Sequence, residues 1–139
     1  MINPGGATLL RCPTSQAQST TALVSTLGGV VNLGATAVRI PSGALSAATL
    51  ITLSIPASEY MEIEVRANNL TSFVFQQQVA ITIDYSRCNR TDTDGRALSV
   101  WRIDTHTKEL LENMGGTDDK TSRSITFTTG HLSGYAVSF

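Results

Sequence analysis

The chain has 139 residues, a length typical of one domain with a real hydrophobic core. Its formal net charge is −1 and only 15% of its residues are charged, so it carries no basic field to attract nucleic acid or an anionic membrane. No apolar stretch approaches the ~20 residues that a transmembrane helix needs, and the first residues do not form a signal peptide. We expect any signal or lipoprotein anchor to lie outside this chain.

Residues 1–20 are predicted to form an N-terminal arm or linker ahead of one domain, residues 21–139. The arm contains a Gly-Gly pair and a run of Thr, Ser, Gln and Ala, a composition that buries little apolar surface. Only residues 7–10 have the character of a short strand.

Short runs rich in Val, Ile and Thr follow from residue 23 onward, separated by turn residues. Strands are predicted at residues 30–33, 36–40, 50–55, 61–66, 79–85, 98–104, 109–114, 124–128 and 135–139. About nine short strands with almost no helical window predict an all-β fold, an antiparallel β-sandwich.

The run at residues 61–66 has a strict period of two. Its apolar residues, Met61 among them, face one side, and Glu62, Glu64 and Arg66 are expected to face water. A carboxylate pair for hydrolysis would need one desolvated member beside a cleft, and this amphipathic strand gives no sign of that.

The chain has two cysteines, Cys12 and Cys88. Neither belongs to a CxxC pair or lies at metal-ligand spacing from a histidine, so we expect no metal site. They are either free core cysteines or a disulfide. We favour the disulfide because both border polar, turn-like segments and because the Thr- and Ser-rich composition is typical of extracytoplasmic proteins. Such a bridge implies an oxidising compartment.

Three predicted loops, residues 68–71, 87–95 and 104–108, are candidate binding surfaces, represented by Asn69, Asp92, Asp94 and His106. The stretch at residues 92–95 resembles part of a calcium loop. The positions before and after it lack the oxygen ligands of an EF-hand, so a plain Asp-Gly turn is favoured and no cofactor is expected.

Glycosylation triplets begin at Asn69 and Asn89, both in predicted loops, and they matter only in a eukaryotic secretory setting. His106, in a polar hairpin, is most simply an exposed turn residue.

The stretch His131-Leu132-Ser133 precedes the last predicted strand. Ser133 Oγ can attack the carbonyl carbon of Leu132 by an N→O shift, and water then cuts the ester. His131 is close enough in sequence to act as the general base. This chemistry needs a strained turn, since an unstrained amide does not rearrange at useful rates. The alternative is an ordinary polar turn, which we favour.

Three longer stretches together resemble the ZU-five domain, the β-sandwich module of ankyrins, Unc-type netrin receptors and zonula occludens. They are "GGVVNLGATAVRIPSGAL" at residues 28–45, "VAITIDYS" at 79–86 followed by "LSVWRID" at 98–104, and "ITFTTGHLSGYAVSF" at 125–139. The resemblance covers about residues 21–139 and is strongest to bacterial copies in envelope or secreted proteins.

The resemblance implies a non-enzymatic β-sandwich module of a bacterial cell-envelope or secreted protein. Its partner would be another protein or a neighbouring domain of the same polypeptide, and not nucleic acid. Some animal relatives cut themselves at His-Phe-Ser, which maps onto His131, Leu132 and Ser133. Relatives without known cleavage carry a similar end, and no second activating residue can be assigned here.

Two alternatives remain: an autoproteolytic module that cleaves between Leu132 and Ser133, and a carbohydrate-binding module. A sugar platform needs exposed planar aromatic rings. Trp101 and Tyr85 fall inside strand patterns and are expected in the core, which leaves Tyr60 as the aromatic residue in an evident loop.

Overall fold

The computed structural model describes residues 7–70 and 73–139, which form thirteen strands and one helical turn. The strands are β1 (Arg11–Thr14), β2 (Gln18–Val24), β3 (Gly29–Leu33), β4 (Thr36–Ile40), β5 (Thr49–Ile55), β6 (Ser58–Tyr60), β7 (Glu62–Ala67), β8 (Val74–Asp84), β9 (Ser99–Ile103), β10 (Leu110–Gly115), β11 (Thr117–Asp119), β12 (Ser124–His131) and β13 (Gly134–Ser138). The helical turn is α1 (Arg90–Thr93). The predicted all-β fold is confirmed, with more strands than the nine expected.

Two large antiparallel sheets face each other. One has six strands in the order β10-β9-β13-β7-β5-β2, and the other has five in the order β11-β12-β8-β4-β3. Alternate residues of each sheet point into the space between them, for example Ile51 and Leu53 from β5 and Ile81 and Ile83 from β8, all fully buried. The short pair β1-β6 forms a third sheet.

Residues 7–20, which the composition assigned to an arm, lie within the sandwich. Thr8 and Phe139 exchange backbone hydrogen bonds of 2.9 Å, and the Leu10 N–H donates to the Val137 carbonyl oxygen at 2.8 Å. Leu10 is fully buried in the main core. The boundary after residue 20 falls inside β2, which pairs with β5 along its length. A polar composition is compatible with an edge strand because such a strand needs little apolar surface.

The expectation that Glu62 faces water is wrong. Its side chain is only 2% exposed, although it lies on the outer face of the six-stranded sheet as the alternation predicted. Part of that face is covered by a second apolar cluster, which consists of Leu9, Trp101, Ile103, Leu110 and Ala136. Lys108 Nζ and Ser58 Oγ each donate a 2.7 Å hydrogen bond to the Glu62 carboxylate. The period of two identified the face, but not what covers it.

The strand directions define two ends of the sandwich. The Ser133 end carries the connecting residues 25–28, 41–48, 68–70, 73, 104–109 and 132–133, since Leu23 pairs with Leu50, Glu64 with Gly134, and Gly134 with Ile103. The Cys88 end carries the connections at residues 34–35, 85–98 and 120–123. Within residues 7–70 and 73–139, no helix is both long and apolar enough to span a membrane.

Candidate functional site

The His131-Leu132-Ser133 stretch is a turn held by backbone hydrogen bonds on both sides. The Leu132 N–H donates to the Phe73 carbonyl oxygen at 3.0 Å, and the Ser133 carbonyl oxygen accepts from the Val65 N–H at 3.1 Å. Leu132 is 4% exposed and belongs to the main core. The turn therefore links β12 of one sheet to β13 of the other with its central side chain inserted between them.

The Tyr135 side chain forms hydrogen bonds to this turn from inside the sandwich. Its hydroxyl donates to the His131 carbonyl oxygen at 2.7 Å and lies 3.0 Å from Thr129 Oγ1. Burial raises the pKa of Tyr135, so the hydroxyl remains a donor at physiological pH. The Tyr that follows His-Leu-Ser-Gly in the sequence thus holds the turn through its hydroxyl.

His131 and Ser133 are not joined by a hydrogen bond in the described structure, and the His131 side chain is exposed. The non-glycine residues with positive φ among residues 7–70 and 73–139 are Asn68, Asn69, Lys108 and Arg123, so the turn carries no backbone strain of that kind. Self-cleavage between Leu132 and Ser133 stays a prediction that neither feature supports.

A different histidine shares a pocket with Ser133. A cavity of about 270 Å³ on the outer face of the six-stranded sheet is lined by Glu64, Asp104, Thr105, His106, Ser133 and Gly134, with Val65 and Ile103. The absence of a side chain at Gly134 creates its floor, because a Cβ there would lie 2.4 Å from Thr105 Cγ2. The fold therefore brings Ser133 to the hairpin that carries His106.

This hairpin is held rigidly at its base. Asp104 Oδ1 accepts hydrogen bonds from the backbone N–H of Thr107 at 3.0 Å and of His106 at 2.8 Å, and these bonds lower the pKa of Asp104. Lys108 Nζ donates to the Thr105 carbonyl oxygen at 2.8 Å as well as to Glu62. The His106 side chain itself is 96% exposed, as the sequence predicted for a turn residue.

The candidate binding loops do not form one surface. Asn69 and His106 lie at the Ser133 end, whereas Asp92 and Asp94 lie at the Cys88 end. Asn69 has φ +62° and is exposed, and Thr71, the last residue of its glycosylation triplet, lies outside the described residues. The loops lie at two ends because β8 runs from the loop of Asn69 to that of Asp92, and β9 runs from the loop of Asp94 to that of His106.

The Cys88 end is a polar, cross-linked region. Cys12 and Cys88 form the predicted disulfide, with their Cα atoms 5.2 Å apart. Arg123, only 6% exposed, donates to the Cys88 carbonyl oxygen at 3.0 Å and to Thr93 Oγ1 at 2.8 Å. Asn89 caps α1 by accepting the Thr91 N–H at 3.0 Å. These contacts give the segment at residues 85–98 a fixed shape.

The two aspartates of the partial calcium motif have structural surroundings. Asp94 pairs with Arg90 across the helical turn at 3.6 Å, and Asp92 belongs to the first turn of α1. Within the part of the chain that the structure describes, no group of three His, Cys, Asp or Glu side chains is arranged to hold a metal ion.

The sequence reasoning missed an apolar surface at the Ser133 end, which we call the leucine surface and define as Leu23, Leu27, Leu50 and Leu70. Their side chains are 67%, 80%, 45% and 55% exposed. Leu23 and Leu50 are cross-strand partners, and the Leu50 backbone hydrogen bonds to Asn68, one residue after the Ala67 that pairs with Leu70. The available signal was the leucine at the outward position of both β2 and β5.

The three aromatic residues considered for a sugar platform are not exposed together. Tyr85 is fully buried and Trp101 is 9% exposed, as expected, while Tyr60 is half-buried against the second apolar cluster. No protein-family model matches the chain, and no curated protein matches it. The geometry of the two ends is therefore the basis for a functional proposal.

Proposed function

We propose that this protein is a non-enzymatic β-sandwich module that binds another protein, or a neighbouring domain of the same polypeptide, through its leucine surface. The observation that carries the proposal is the clustering of exposed apolar side chains. Of the eight large apolar side chains exposed in the described residues, four form the leucine surface, where β2 ends and β5 begins: Leu23, Leu27, Leu50 and Leu70. Soluble proteins rarely leave such residues contiguous unless something covers them.

The electrostatics of this surface favour protein contact. Neither β2 nor β5 contains a charged residue, and the nearest strand charge, Arg66, pairs with Glu64 on the same strand. Interface centres are typically depleted of charge and enriched in apolar side chains. The leucine surface has that composition, and the polar pocket at Ser133 and His106 lies further along the same end.

An extracytoplasmic, bacterial envelope location and membership of the ZU-five family are also proposals. The Cys12–Cys88 disulfide supports the first, because disulfides persist in oxidising compartments. The β-sandwich, with its final strand entered through Gly134, supports the second only at the level of fold.

Site-specific photo-cross-linking in cells tests the interaction. A photoreactive amino acid at position 27 is expected to give a discrete cross-linked band, and Leu23→Asp in the same chain should abolish it. Position 111 is the control site, because Leu111 is 44% exposed but lies on β10, at the opposite edge of the sheet from β2. Cross-linking at position 27 no stronger than at position 111 would contradict the proposal.

A further inference from the structure

A second cavity, at the Cys88 end, is built around the disulfide. Its volume is about 290 Å³, and its lining includes both cysteines, Arg11, Arg87 and Asp92. Arg11 also pairs with Glu59 at 3.4 Å, which leaves Arg87 as the cation of the lining that contacts the disulfide. Both cysteines are only 4% exposed, and this cavity is the opening through which a small thiol can reach them.

Arg87 lies directly against one of the two sulfur atoms. Its Nη1 is 3.1 Å from Cys12 Sγ and donates to the carbonyl oxygens of Cys12 at 2.6 Å and Pro13 at 3.2 Å. The described hydrogen bonds place no side-chain cation on Cys88 Sγ. A guanidinium gains little from a neutral disulfide sulfur but stabilises a thiolate, which makes Cys12 the better leaving group.

We propose that Cys12–Cys88 is a reactive disulfide that exchanges with small thiols such as glutathione, with attack directed at Cys88. A thiolate RS⁻ attacks Cys88 Sγ and forms Cys88–S–SR. The Cys12–Cys88 bond breaks, and its electron pair leaves on Cys12 Sγ, where Arg87 stabilises the charge. A second RS⁻ attacks the SR sulfur, forms RS–SR and releases Cys88 as a thiolate, which completes a two-electron reduction of the protein.

The surroundings also keep the two cysteines together after reduction. The Cys88 N–H donates to the Tyr85 carbonyl oxygen at 2.9 Å, and Arg123 Nη2 donates to the Cys88 carbonyl oxygen at 3.0 Å. Arg87 holds the Cys12 carbonyl from the same segment of chain. None of these bonds depends on the disulfide. In the reverse exchange, the Cys88 thiolate attacks RS–SR and releases RS⁻, and the Cys12 thiolate then attacks Cys88 Sγ and releases the second RS⁻, so the same pair re-forms.

Reduction of the folded protein by glutathione tests the direction of attack. Arg87→Gln is expected to slow the reaction about threefold or more, because the leaving thiolate loses its cation. Arg87→Lys should restore most of the rate, and Arg90→Gln is the matched control, since Arg90 pairs with Asp94 and has no contact with the disulfide. In denaturant all four proteins should react equally, and an equal rate for Arg87→Gln in the folded state would overturn the proposal.

A second experiment tests whether Arg87 stabilises negative charge on Cys12, in variants that keep only one of the two cysteines. In Cys88→Ser the remaining Cys12 thiol should react with iodoacetamide at a lower pH than the Cys88 thiol does in Cys12→Ser, because a neighbouring cation lowers a thiol pKa. Adding Arg87→Gln should raise the Cys12 pKa and leave the Cys88 pKa unchanged. Equal pH profiles for the two single-cysteine proteins would overturn the proposal, and melting curves report whether each variant is folded.

Discussion

At the Cys88 end the connecting segments are joined by a disulfide and by the buried guanidinium of Arg123, whereas at the Ser133 end they are joined by backbone hydrogen bonds. The first end carries its charges in pairs and networks, and the second presents four exposed leucines. A cross-linked, hydrogen-bonded end tolerates little change in shape. The other end leaves apolar side chains in water, which costs free energy unless a partner covers them.

The polar residues at the two ends are also of two kinds. Arg123 donates to carbonyl oxygens of a connecting segment and thereby shapes it. His106 and Ser133 lie beside a cavity, and the described structure gives their side-chain polar atoms no hydrogen-bond partner. Groups of the second kind are available to a ligand.

The largest expected effect is at the Cys88 end. Replacing both cysteines by alanine opens a loop with a sequence separation of 76 residues. The chain-entropy model gives a loss of at most about 4–5 kcal/mol in the free energy of unfolding. Urea unfolding of the oxidised protein and of the double variant measures it, and a loss below about 1 kcal/mol would show that the cross-link is not what makes this end the firmer one.

A smaller effect is expected from Gly134→Ala at the Ser133 end. The added Cβ meets Thr105 Cγ2 at 2.4 Å, so the hairpin at residues 104–108 must move, at a cost of about 1–3 kcal/mol. Gly130→Ala is the matched control, because a Cβ at Gly130 meets no atom within 4 Å. Thermal unfolding compares the two variants, and equal melting temperatures would mean that the hairpin moves aside without a loss of stability.

Each end has one aspartate whose pKa is lowered by backbone N–H groups. Asp104 accepts from Thr107 and His106, and Asp119 accepts from Ser122 and Thr121. A lowered folded-state pKa means that the stability is fully present above the ordinary Asp pKa of about 3.9 and is lost as the pH falls through the lowered value.

Carboxyl chemical shifts followed by NMR between pH 2 and pH 6 should show both aspartates titrating below a model peptide. Asp104→Asn and Asp119→Asn should each remove part of the acid dependence of stability. If one of the two aspartates titrates with an ordinary pKa, then only the turn at the other end holds its aspartate through backbone N–H groups.

The smallest effect on stability is expected at the leucine surface. Leu27 is 80% exposed, so Leu27→Asp should change the free energy of unfolding by no more than about 0.5 kcal/mol. The same substitution should remove partner binding, since it places a charge at an apolar interface. Chemical denaturation together with cross-linking separates the two outcomes, and a large loss of stability would mean that these leucines serve the fold.

Local patterns were enough to predict the fold class. Residues 36–40 form β4 with the predicted bounds, and the disulfide pairing is confirmed. The pattern failed where the answer depends on distant residues. β8 begins at Val74, ahead of the predicted residue 79, because three consecutive glutamines interrupt the alternation without ending the strand. Glu62 is buried, and it accepts a hydrogen bond from Lys108, which lies in the connection between β9 and β10.

The candidate site was harder to predict for the same reason. His131 is the neighbour of Ser133 in sequence, yet His106 is its neighbour in the pocket, because β9 and β13 are paired with Gly134 opposite Ile103. Asn69 and Asp92 are both loop residues, and only the direction of β8 places them at opposite ends. The local sequence shows that a residue lies in a loop. Which loops lie side by side depends on the direction and register of the strands.

The hydrogen bonds between Thr8 and Phe139 have a consequence for the order of assembly. Residues 8 and 9 pair with residues 139 and 138 beside β13, an interior strand of the six-stranded sheet, so this pairing cannot form until residue 139 has been synthesised. Contacts of such long sequence separation slow folding and prolong the exposure of unpaired strands. Because Thr8 and Phe139 are hydrogen-bonded neighbours, a short peptide linker can join residues 8 and 139. A circularly permuted chain that is joined there and opened at the Leu27 turn would begin and end at the leucine surface.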